Sequence, residues 1–502
     1  MKREEFRAIY DQGPDAVFVL IEVLFAQVNI LTAKVKELES RINTNSKNSG
    51  KPPSSDGLAR TKSLRKKSGK KSGAQKGHPG HTLEMTSKPD KVEAHRVTQC
   101  QHCGTSLPGR AESFQRRQVV DTPPLKLEVT EHQAEQKTCP VCGTCNKASF
   151  PEGVTRPVQY GPLIKALAVY MNQYQLIPYD RVEELFKDLF GQPFSEGSLF
   201  TANEICYEAL EGAEQEIKRQ ILSAPVINCD ETGARVEGKT HWLHVAGTPE
   251  LTCYSIHQKR GSGGMDDMGI LPFYTGISKH DCLSAYFKYT NCSHSLCNDH
   301  HLRELKWVIE NERQTWAQQM YELLLDAKAA VDEAKDNSKT CLELEQLIDF
   351  EQRYSSIIAL GYHENPFFEV WPRPKGQRGR LKKTKARNLL ERLDKYRTET
   401  LNFMFDFRIP FGNNQAERDI RMTKVQQKIS GGFRSLQGAK IFCRIRGYIS
   451  TVKKNSVPVL GAIRDAFLGN PFVPNCVEVL KSGVWPADLG HSCLILKSQT
   501  VA

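Results

Sequence analysis

Residues 225–233 read PVINCDETG, and the character of the chain changes at this point. The preceding residues have apolar positions at helical spacing, whereas here a mainly apolar run ends in two acids, Asp230 and Glu231. Such a run is typical of a buried strand that ends at the edge of a sheet. Three later stretches, HWLHVA, LTCYSI and ILPFYTGISKHD, have strand-like patterns, and the last ends in Asp281. We therefore expect a sheet that delivers acids to its edge.

Along the chain, helices are expected both before and after the strands of this sheet. After Trp307 the apolar residues return to helical spacing, and a later helix is expected to open at Asn413 or Asn414 within NNQAERDIR. Strands, then a helical stretch, then a late helix with an acid describe an α+β fold with a helical insertion at about residues 308–400.

Three acids have the pattern of a metal site for phosphoryl transfer: Asp230, Asp281 and Glu417. They stand 51 and 136 residues apart, so only a fold can unite them. Carboxylate oxygens hold Mg²⁺ and leave positions for water and phosphate. Two such ions about 3.5–4 Å apart activate an attacking oxygen and stabilise a departing one, and Mn²⁺ is a possible substitute. Because the chain has 58 acids, spacing alone leaves open the alternative of surface acids that close strands.

Geometry argues against two neighbouring acids as metal ligands. Glu231 is expected to point to the opposite face of a strand from Asp230. Asp419 follows Glu417 by two residues and should point about 200° around the helix. We expect neither of them to be a ligand.

Four cysteines upstream of the strands form two C-x2-C pairs, Cys100 with Cys103 and Cys139 with Cys142. A glycine follows each pair, where a tight turn tolerates positive φ. Four thiolates at about 2.3 Å from one ion make a closed structural zinc site. Chance pairing or a disulfide is the alternative, since 35 residues separate the pairs.

Two further residues leave the ligand set open, because Cys145 could replace a cysteine and His102 lies within the first pair. The chain has fifteen cysteines, but its length, their spacing and the absence of a recognisable export signal favour a reducing cytosol. No uninterrupted run of 18 apolar residues occurs, so a membrane span is not expected.

A heptad pattern from Val17 to Ile42 predicts an N-terminal coiled coil. β-branched residues on one seam and leucine on the other favour a parallel dimer. The alternative is a single amphipathic helix packed on the rest of the protein. The seams contain Ile21, Val28, Val35 and Ile42, and Val17, Leu24, Leu31 and Leu38.

The net charge of +11 is concentrated, since residues 60–76 contain eight Lys or Arg and no acid. This segment suits a polyanion through counterion release, although a solvated linker has the same composition. A second basic stripe follows Glu417 on its helix, and its alternative is a solvated helix face. The predicted DNA contacts are Arg65, Lys66, Lys67, Lys70 and Lys71, and Arg418, Arg421, Lys424, Lys428 and Arg434, with Lys440, Arg444 and Arg446 after them.

Between the cysteines and the strands, residues 160–222 are predicted to be helical. One helix from Arg181 to Leu189 should end at GQPFS, and Ser195 could cap the next helix. This outline fits a helix-turn-helix that reads DNA, and it fits two ordinary packed helices equally well.

The chain from residue 43 to about 455 resembles the DDE-type transposases of the insertion-sequence sixty-six family. The run from Pro410 to Ser435 is specific enough to carry the resemblance almost alone. The matching stretches are NSKNSGKPPSSDG, GAQKGHPGH, CQHC, CPVCG, QVVDTP, QLIPYDR, NCDETG, HWLHV, HDCLSAY, LCNDHHLREL and PFGNNQAERDIRMTKVQQKISGGFRS.

The resemblance implies a ribonuclease-H-like core in which Asp230, Asp281 and Glu417 are the catalytic acids, with a helical insertion between the second and the third. His300 and His301 in LCNDHHLREL are candidates for a supporting role near phosphate or metal, although a histidine is more often structural. The expected cofactors are two Mg²⁺ ions and a structural Zn²⁺.

The expected organisation follows from these parts: 1–45 coiled coil, 46–87 basic linker, 88–150 zinc module, 151–224 helical region, 225–455 catalytic domain and 456–502 tail. We expect a bacterial, cytoplasmic, nucleoid-associated transposase that cleaves the ends of a mobile element and transfers the strands into target DNA. Its partners would be DNA, a second copy of the chain and possible small accessory proteins of the element, with no membrane. A zinc-containing DNA-binding repressor and a junction resolvase are the rival functions.

Overall fold

The computed structural model describes residues 3–42, 44–45, 48, 83–122, 125–366 and 383–474. The chain forms two compact units. The first comprises Met1–Thr61, Val154–Phe186 and Pro193–Ala502, and the second comprises Lys62–Gly153 and Lys187–Gln192. Five predicted DNA-binding residues lie outside the described part: Arg65, Lys66, Lys67, Lys70 and Lys71.

The N-terminal helices are α1 (Arg3–Tyr10) and α2 (Pro14–Ile42), so the heptad segment is helical as predicted. Apolar seam residues such as Leu24 and Leu31 are exposed along α2. The stretch Pro14–Thr32 has a mean hydropathy of 1.8 and is long and apolar enough, by length and composition alone, to cross a membrane. The expectation from uninterrupted apolar runs missed it, because single polar residues such as Glu22 interrupt the run.

The second unit contains little regular structure among its described residues. A short antiparallel hairpin pairs β1 (Gln136–Thr138) with β2 (Cys145–Lys147), and all six strand residues are exposed. Few side chains are therefore shielded from water around the cysteines.

Helices precede the main sheet as predicted. Ser195 caps one of them by accepting a hydrogen bond from the backbone N–H of Ser198, which confirms the predicted cap. The helix-turn-helix outline is therefore present, and DNA reading by it stays a prediction. The helices are α3 (Pro162–Val169), continued by a π-helical turn at Tyr170–Tyr174, α4 (Tyr179–Phe190), α5 (Glu196–Ala209) and α6 (Glu211–Ser223).

A five-stranded mixed sheet forms the centre of the first unit. Its order is β5-β4-β3-β6-β7, with β4 antiparallel to both of its neighbours and β3, β6 and β7 parallel. Four strands were expected from sequence, and β7 was not, because SHSL is short and mostly polar. The bounds are β3 (Val226–Val236), β4 (Lys239–Gly247), β5 (Thr252–His257), β6 (Ile277–His280) and β7 (Ser293–Leu296), and the helix α7 (Ser262–Met268) lies between β5 and β6.

A helical stretch with its own core follows the sheet. Buried residues such as Trp316, Leu324, Tyr354 and Leu390 fill the space between its helices. The predicted helical insertion is therefore present in the described residues. The helices are α8 (Asn298–Glu312), α9 (Thr315–Asp336), α10 (Leu344–Glu364), α11 (Lys385–Lys395) and α12 (Arg397–Leu401).

Three further helices complete the described part: α13 (Asn414–Ser430), α14 (Leu436–Lys454) and α15 (Val459–Phe467). Asn413 is the N-cap residue of α13, which confirms where this helix was predicted to begin. Helix α13 packs on β3 and β4, whereas α14 packs on β5. Glu417 is thereby carried on a helix that lies against the central strand.

Candidate active site

The sheet brings Asp230 and Asp281 to neighbouring positions. Val226 of β3 pairs with Ile277 of β6, and this offset of 51 residues is the one that separates the two aspartates. Adjacent strands lie about 4.8 Å apart, so the parallel register directs both acids to the same region of the sheet. The chain turns sharply after Asp281, because Cys282 has a φ of 74° in the left-handed region.

The Asp230 carboxyl lies in a setting that disfavours its charge. Burial, followed by the nearby charges of Glu231 and Asp281, raises the pKa of Asp230 to about 8. A group of buried acids with a raised pKa is typical of a site that takes up a cation or a proton. The Asp230 side chain also accepts a hydrogen bond of 2.8 Å from the N–H of Glu231.

Glu231 is held by a different set of partners. Its Oε1 accepts hydrogen bonds from Arg260 at 2.8 and 2.9 Å, and its Oε2 accepts one of 2.9 Å from the Tyr286 hydroxyl. Burial and the charge of Asp281 nevertheless raise the pKa of Glu231. Arg260 stacks on Trp242 with 4.9 Å between the guanidinium carbon and the ring centroid. This ion pair fixes the residue beside Asp230, and no sequence motif pointed to Arg260.

A pair of amides fastens the start of α13 to β3. Asn228 Nδ2 donates to Asn413 Oδ1, and Asn413 Nδ2 donates to the carbonyl of Cys229, both over 2.8 Å. All three residues are buried. We call this pair the amide latch. Because Cys229 precedes Asp230 and Asn413 precedes α13, the latch fastens the start of α13 to β3 beside Asp230. The carboxylates of Asp230, Asp281 and Glu417 are nevertheless not among the potential ligands that lie within 4.8 Å of one another in the described residues.

Glu417 meets residues from the beginning of α8. Arg303 donates to Glu417 Oε1 over 3.0 Å, and His300 Nδ1 lies 3.8 Å from the same oxygen. Burial lowers the pKa of His300, but the Cys297 sulfur and the Glu417 charge outweigh it and raise the pKa to about 9. Arg303 was not predicted, although its spacing of three residues from His300 on a helix places both on one face.

The two predicted histidines have separate environments. His301 is buried and its Nδ1 lies 3.0 Å from Asn298 Oδ1, with burial holding its pKa well below the usual range. His300 instead faces Glu417. Among the described residues, Cys297, His300 and Glu417 form a group of potential metal ligands, because their ligand atoms all lie within 4.8 Å of one another.

The predicted basic stripe is only partly at the surface. Arg418, Arg421, Lys428 and Arg434 are exposed. Lys424 instead turns toward the sheet and donates to the carbonyl of Gly233 over 2.7 Å, and burial lowers its pKa.

Two arginines that follow the basic stripe in the sequence have structural partners. Arg444 pairs with Glu214 at 2.8 Å, and the buried Arg446 donates to the carbonyls of Gln173 and Tyr174. Both sit on α14, which packs on the sheet. Their guanidinium groups are therefore used within the fold.

Asp419, excluded from sequence, has a structural role. Its Oδ2 forms a 2.8 Å ion pair with Lys454, and its carbonyl accepts from the Tyr254 hydroxyl. Both charged side chains are largely buried. Asp419 thus fastens α13 to α14.

The cysteine pairs form two matching turns. The N–H of Cys100 donates to the carbonyl of Thr105, and the N–H of Cys139 donates to that of Thr144. Gly104 and Gly143 have φ of 73° and 71°, as the predicted turns require. Hydrogen bonding to Thr105 lowers the pKa of Cys103 to about 7, and Thr144 has the same effect on Cys142. Low thiol pKa values suit metal binding, because the thiolate is the ligand.

The two turns are not joined into one ligand set in the described residues, where Cys297, His300 and Glu417 are the grouped ligands. The described residues of the second unit form little core, so local backbone bonds build each turn but do not bring the four sulfur atoms together. A bound ion is the usual source of that convergence in small metal modules.

The comparisons with known proteins agree with this arrangement of parts. The model of the IS66 transposase family matches residues 157–441, more than half of the chain, and that of the zinc-finger binding domain of IS66 transposases matches residues 98–143. A family of unknown function matches residues 7–84. No curated protein matches the chain. The chain belongs to the IS66 family of transposases, which confirms the resemblance, and its α+β content and zinc-finger domain fit that family.

Proposed function

We propose that this transposase cleaves DNA at the ends of a mobile element and transfers the freed strand into target DNA. Asp230, Asp281 and Glu417 would hold the reacting phosphate through bound metal ions. The observation that carries the proposal is the connection of three elements. The parallel strands β3 and β6 place the two aspartates at matching positions of their register, and the amide latch ties the start of the glutamate-bearing helix to β3.

The order of the sheet supports a ribonuclease-H-like core. Three antiparallel strands come first along the chain, and two parallel strands then extend the sheet from the first of them. One acid within the first strand, a second directly after the fourth strand, and a third on a later helix match what the family resemblance implies. The helical stretch between Asp281 and Glu417 corresponds to the expected insertion.

The carboxylates fit a divalent cation. The raised pKa of Asp230 reflects buried acids whose mutual repulsion a cation would relieve. Bound Mg²⁺, with Mn²⁺ as a substitute, would activate the attacking oxygen and stabilise the departing one. Within the chain, Arg260 and Tyr286 neutralise Glu231 and keep it turned away from this task. Arg303 holds Glu417 in place from α8.

The exposed basic residues beside Glu417 would hold the DNA backbone. Arg418, Arg421 and Lys428 lie on α13, and Arg434 follows its end. Phosphate contacts of this kind position the duplex without reading its sequence. The reacting phosphodiester would thereby be presented to the carboxylates.

The proposal is tested with full-length protein and a duplex that carries the terminal repeats taken from the DNA flanking the gene. We expect Mg²⁺-dependent cleavage and joining, and Asp281→Asn should lower both by about a thousandfold or more, the size of several kcal/mol of lost charge stabilisation. Asp267→Asn, an exposed acid on α7, is the matched control and should retain activity. An Asp281→Asn protein that still joins strands at the normal rate would overturn the assignment.

We also propose that α2 pairs two copies of the transposase so that both element ends are processed together. Its exposed apolar seams and heptad spacing support a parallel coiled coil. Leu24→Lys with Leu31→Lys should convert the dimer to a monomer in analytical ultracentrifugation, because both charges would be buried at the seam. Gln27→Lys, off the seam, should leave the dimer intact. A dimer that survives the double substitution would exclude this interface.

A further inference from the structure

We infer that Cys297, His300 and Glu417 form a second metal site that binds a zinc-like divalent ion. An ion bound there would draw Glu417 away from the aspartates and inhibit the transposase. The binding part stands on geometry alone, whereas the inhibition part rests on the proposed function of Glu417. This site is distinct from the cysteine pairs of the zinc-finger domain, which lie in the other compact unit.

The starts of two helices bring the three ligands together. Cys297 ends the segment after β7 and is the N-cap residue of α8, and His300 follows one turn later. Glu417 lies in the first turn of α13. The backbone N–H of Asn413 donates to the Cys297 sulfur over 3.1 Å, so the two helix starts are directly connected. Their ligand atoms lie within 4.8 Å of one another.

The histidine nitrogen lacks a conventional partner. His300 Nδ1 is buried and makes no hydrogen bond within the described part of the chain, and it points toward Glu417 Oε1 at 3.8 Å. The ligand form of the imidazole is neutral, so a bound ion would replace the proton that Cys297 and Glu417 favour on His300. The cysteine is almost completely buried and the glutamate is largely shielded, so bulk water competes weakly for the ion.

The mixture of ligands selects the ion. Sulfur and imidazole nitrogen favour Zn²⁺ and related transition metals, whereas Mg²⁺ prefers oxygen. Around tetrahedral zinc, with Zn–S near 2.3 Å and Zn–N near 2.1 Å, neighbouring ligand atoms are roughly 3.5 Å apart. The spacing found here therefore needs only a small contraction of side chains. Water would complete the coordination.

Arg303 sets the competition for this site. Its guanidinium already donates to Glu417 Oε1 over 3.0 Å and repels an incoming cation. The ion must displace this donor or share the carboxylate with it, so we expect binding that responds to the zinc concentration and is reversible by a chelator. Occupancy of the site would then follow the free zinc concentration, and Glu417 would be available to the aspartates only when the site is empty.

The binding half is tested by loading the full-length protein with Co²⁺, whose thiolate complexes absorb in the near ultraviolet, and by measuring zinc content after dialysis. Cys297→Ser should lower the cobalt signal and remove about one equivalent of zinc, because one of the three protein ligands, the thiolate, is lost. Serine can still accept the hydrogen bond from Asn413, so the fold has a substitute acceptor. Cys292→Ser, at another buried cysteine whose sulfur donates to the Tyr289 carbonyl, is the matched control and should change neither value.

The inhibition half is tested by titrating zinc into Mg²⁺-dependent cleavage, with each variant normalised to its own rate without zinc. Cys297→Ser should need roughly tenfold or more zinc for half inhibition than wild type or Cys292→Ser. Equal zinc sensitivity of all three proteins would place inhibition elsewhere and overturn the inference. A lack of Mg²⁺-dependent cleavage in wild type would instead overturn the proposed function, while the cobalt and zinc measurements would still decide the metal site.

Discussion

The central sheet and the cysteine module both carry potential metal ligands, but they position them by different means. At the sheet edge, strand register and the amide latch position the carboxylates, at a cost visible in the raised pKa of Asp230. In the cysteine module, local hydrogen bonds shape each turn and leave the two pairs apart. The first region uses the fold to position its acids, and we expect the second to need a bound ion to complete its fold.

The largest effect is expected when zinc is removed from the cysteine module, which should then lose its folded structure. Structural zinc in small modules contributes on the order of 10 kcal/mol to folding. With chelator, we expect the N–H groups of Cys100 and Cys139 to exchange with solvent several orders of magnitude faster. The strand β3 should keep its protection, because a hydrophobic core surrounds it. Hydrogen exchange read by mass spectrometry measures both regions in one sample.

Cys103→Ser provides the matched variant for this experiment, since it should give rapid exchange even with zinc present. If the cysteine turns kept their protection in chelator, the module would fold without an ion and the contrast between the regions would fail.

The next effect concerns two acids on α13 that differ in role. Glu417→Gln should lower Mg²⁺-dependent cleavage by about a thousandfold while the protein stays folded. Asp419→Asn should instead lower the free energy of unfolding by about 3 kcal/mol, because Lys454 would remain buried without its partner. Cleavage rates and chemical denaturation separate the two outcomes. If both variants lost activity and stability to a similar extent, the separate roles of Glu417 in catalysis and Asp419 in stability would be contradicted.

The pH dependence of the free energy of unfolding, which should amount to a few kcal/mol, tests the electrostatic cost of keeping Asp230 in its setting. A carboxyl with a raised folded pKa binds its proton more tightly in the folded state, so this group destabilises the metal-free protein as pH rises from about 4 to about 8. Asp230→Asn should remove that loss and melt at a higher temperature than wild type at pH 8. Asp267→Asn should keep the wild-type slope.

Thermal melting across this pH range, without Mg²⁺, is the measurement. A wild-type slope that Asp230→Asn leaves unchanged would mean that another group carries it. Added Mg²⁺ should raise the melting temperature of wild type and have little effect on Asp230→Asn, because the cation needs the carboxylate.

The smallest effect concerns the surface beside the carboxylates. Arg421→Gln and Lys428→Gln should each weaken DNA binding and lower its salt-dependence slope by about 0.9, the value for one phosphate contact. Lys424→Gln should leave the slope unchanged, because this amine is bonded to the Gly233 carbonyl. Binding isotherms at several salt concentrations measure the slopes, and a Lys424 variant that changed the slope would show that this amine also contacts phosphate.

Sequence reasoning predicted what depends on local pattern. The strand that contains Asp230, the helix that opens after Asn413 and the positive φ of Gly104 each follow from nearby residues. The predicted end of that strand at the acids was wrong, because β3 stays paired with β4 as far as Val236. The outcome for Lys424 and Arg446 could not be read this way, because helical spacing does not say which basic side chains face a sheet. Arg260 and Arg303 were missed because their acidic partners lie 29 and 114 residues away.

The amide latch joins residues 185 positions apart in the chain. A ribosome therefore finishes both aspartate-bearing strands well before Asn413 and Glu417 are made. With Glu417 in its proposed role, a growing or prematurely ended chain can form most of the sheet and still be unable to cut the genome that encodes it. Synthesis beyond the sheet is then itself a safeguard, since the nuclease becomes competent only after Glu417 has been made.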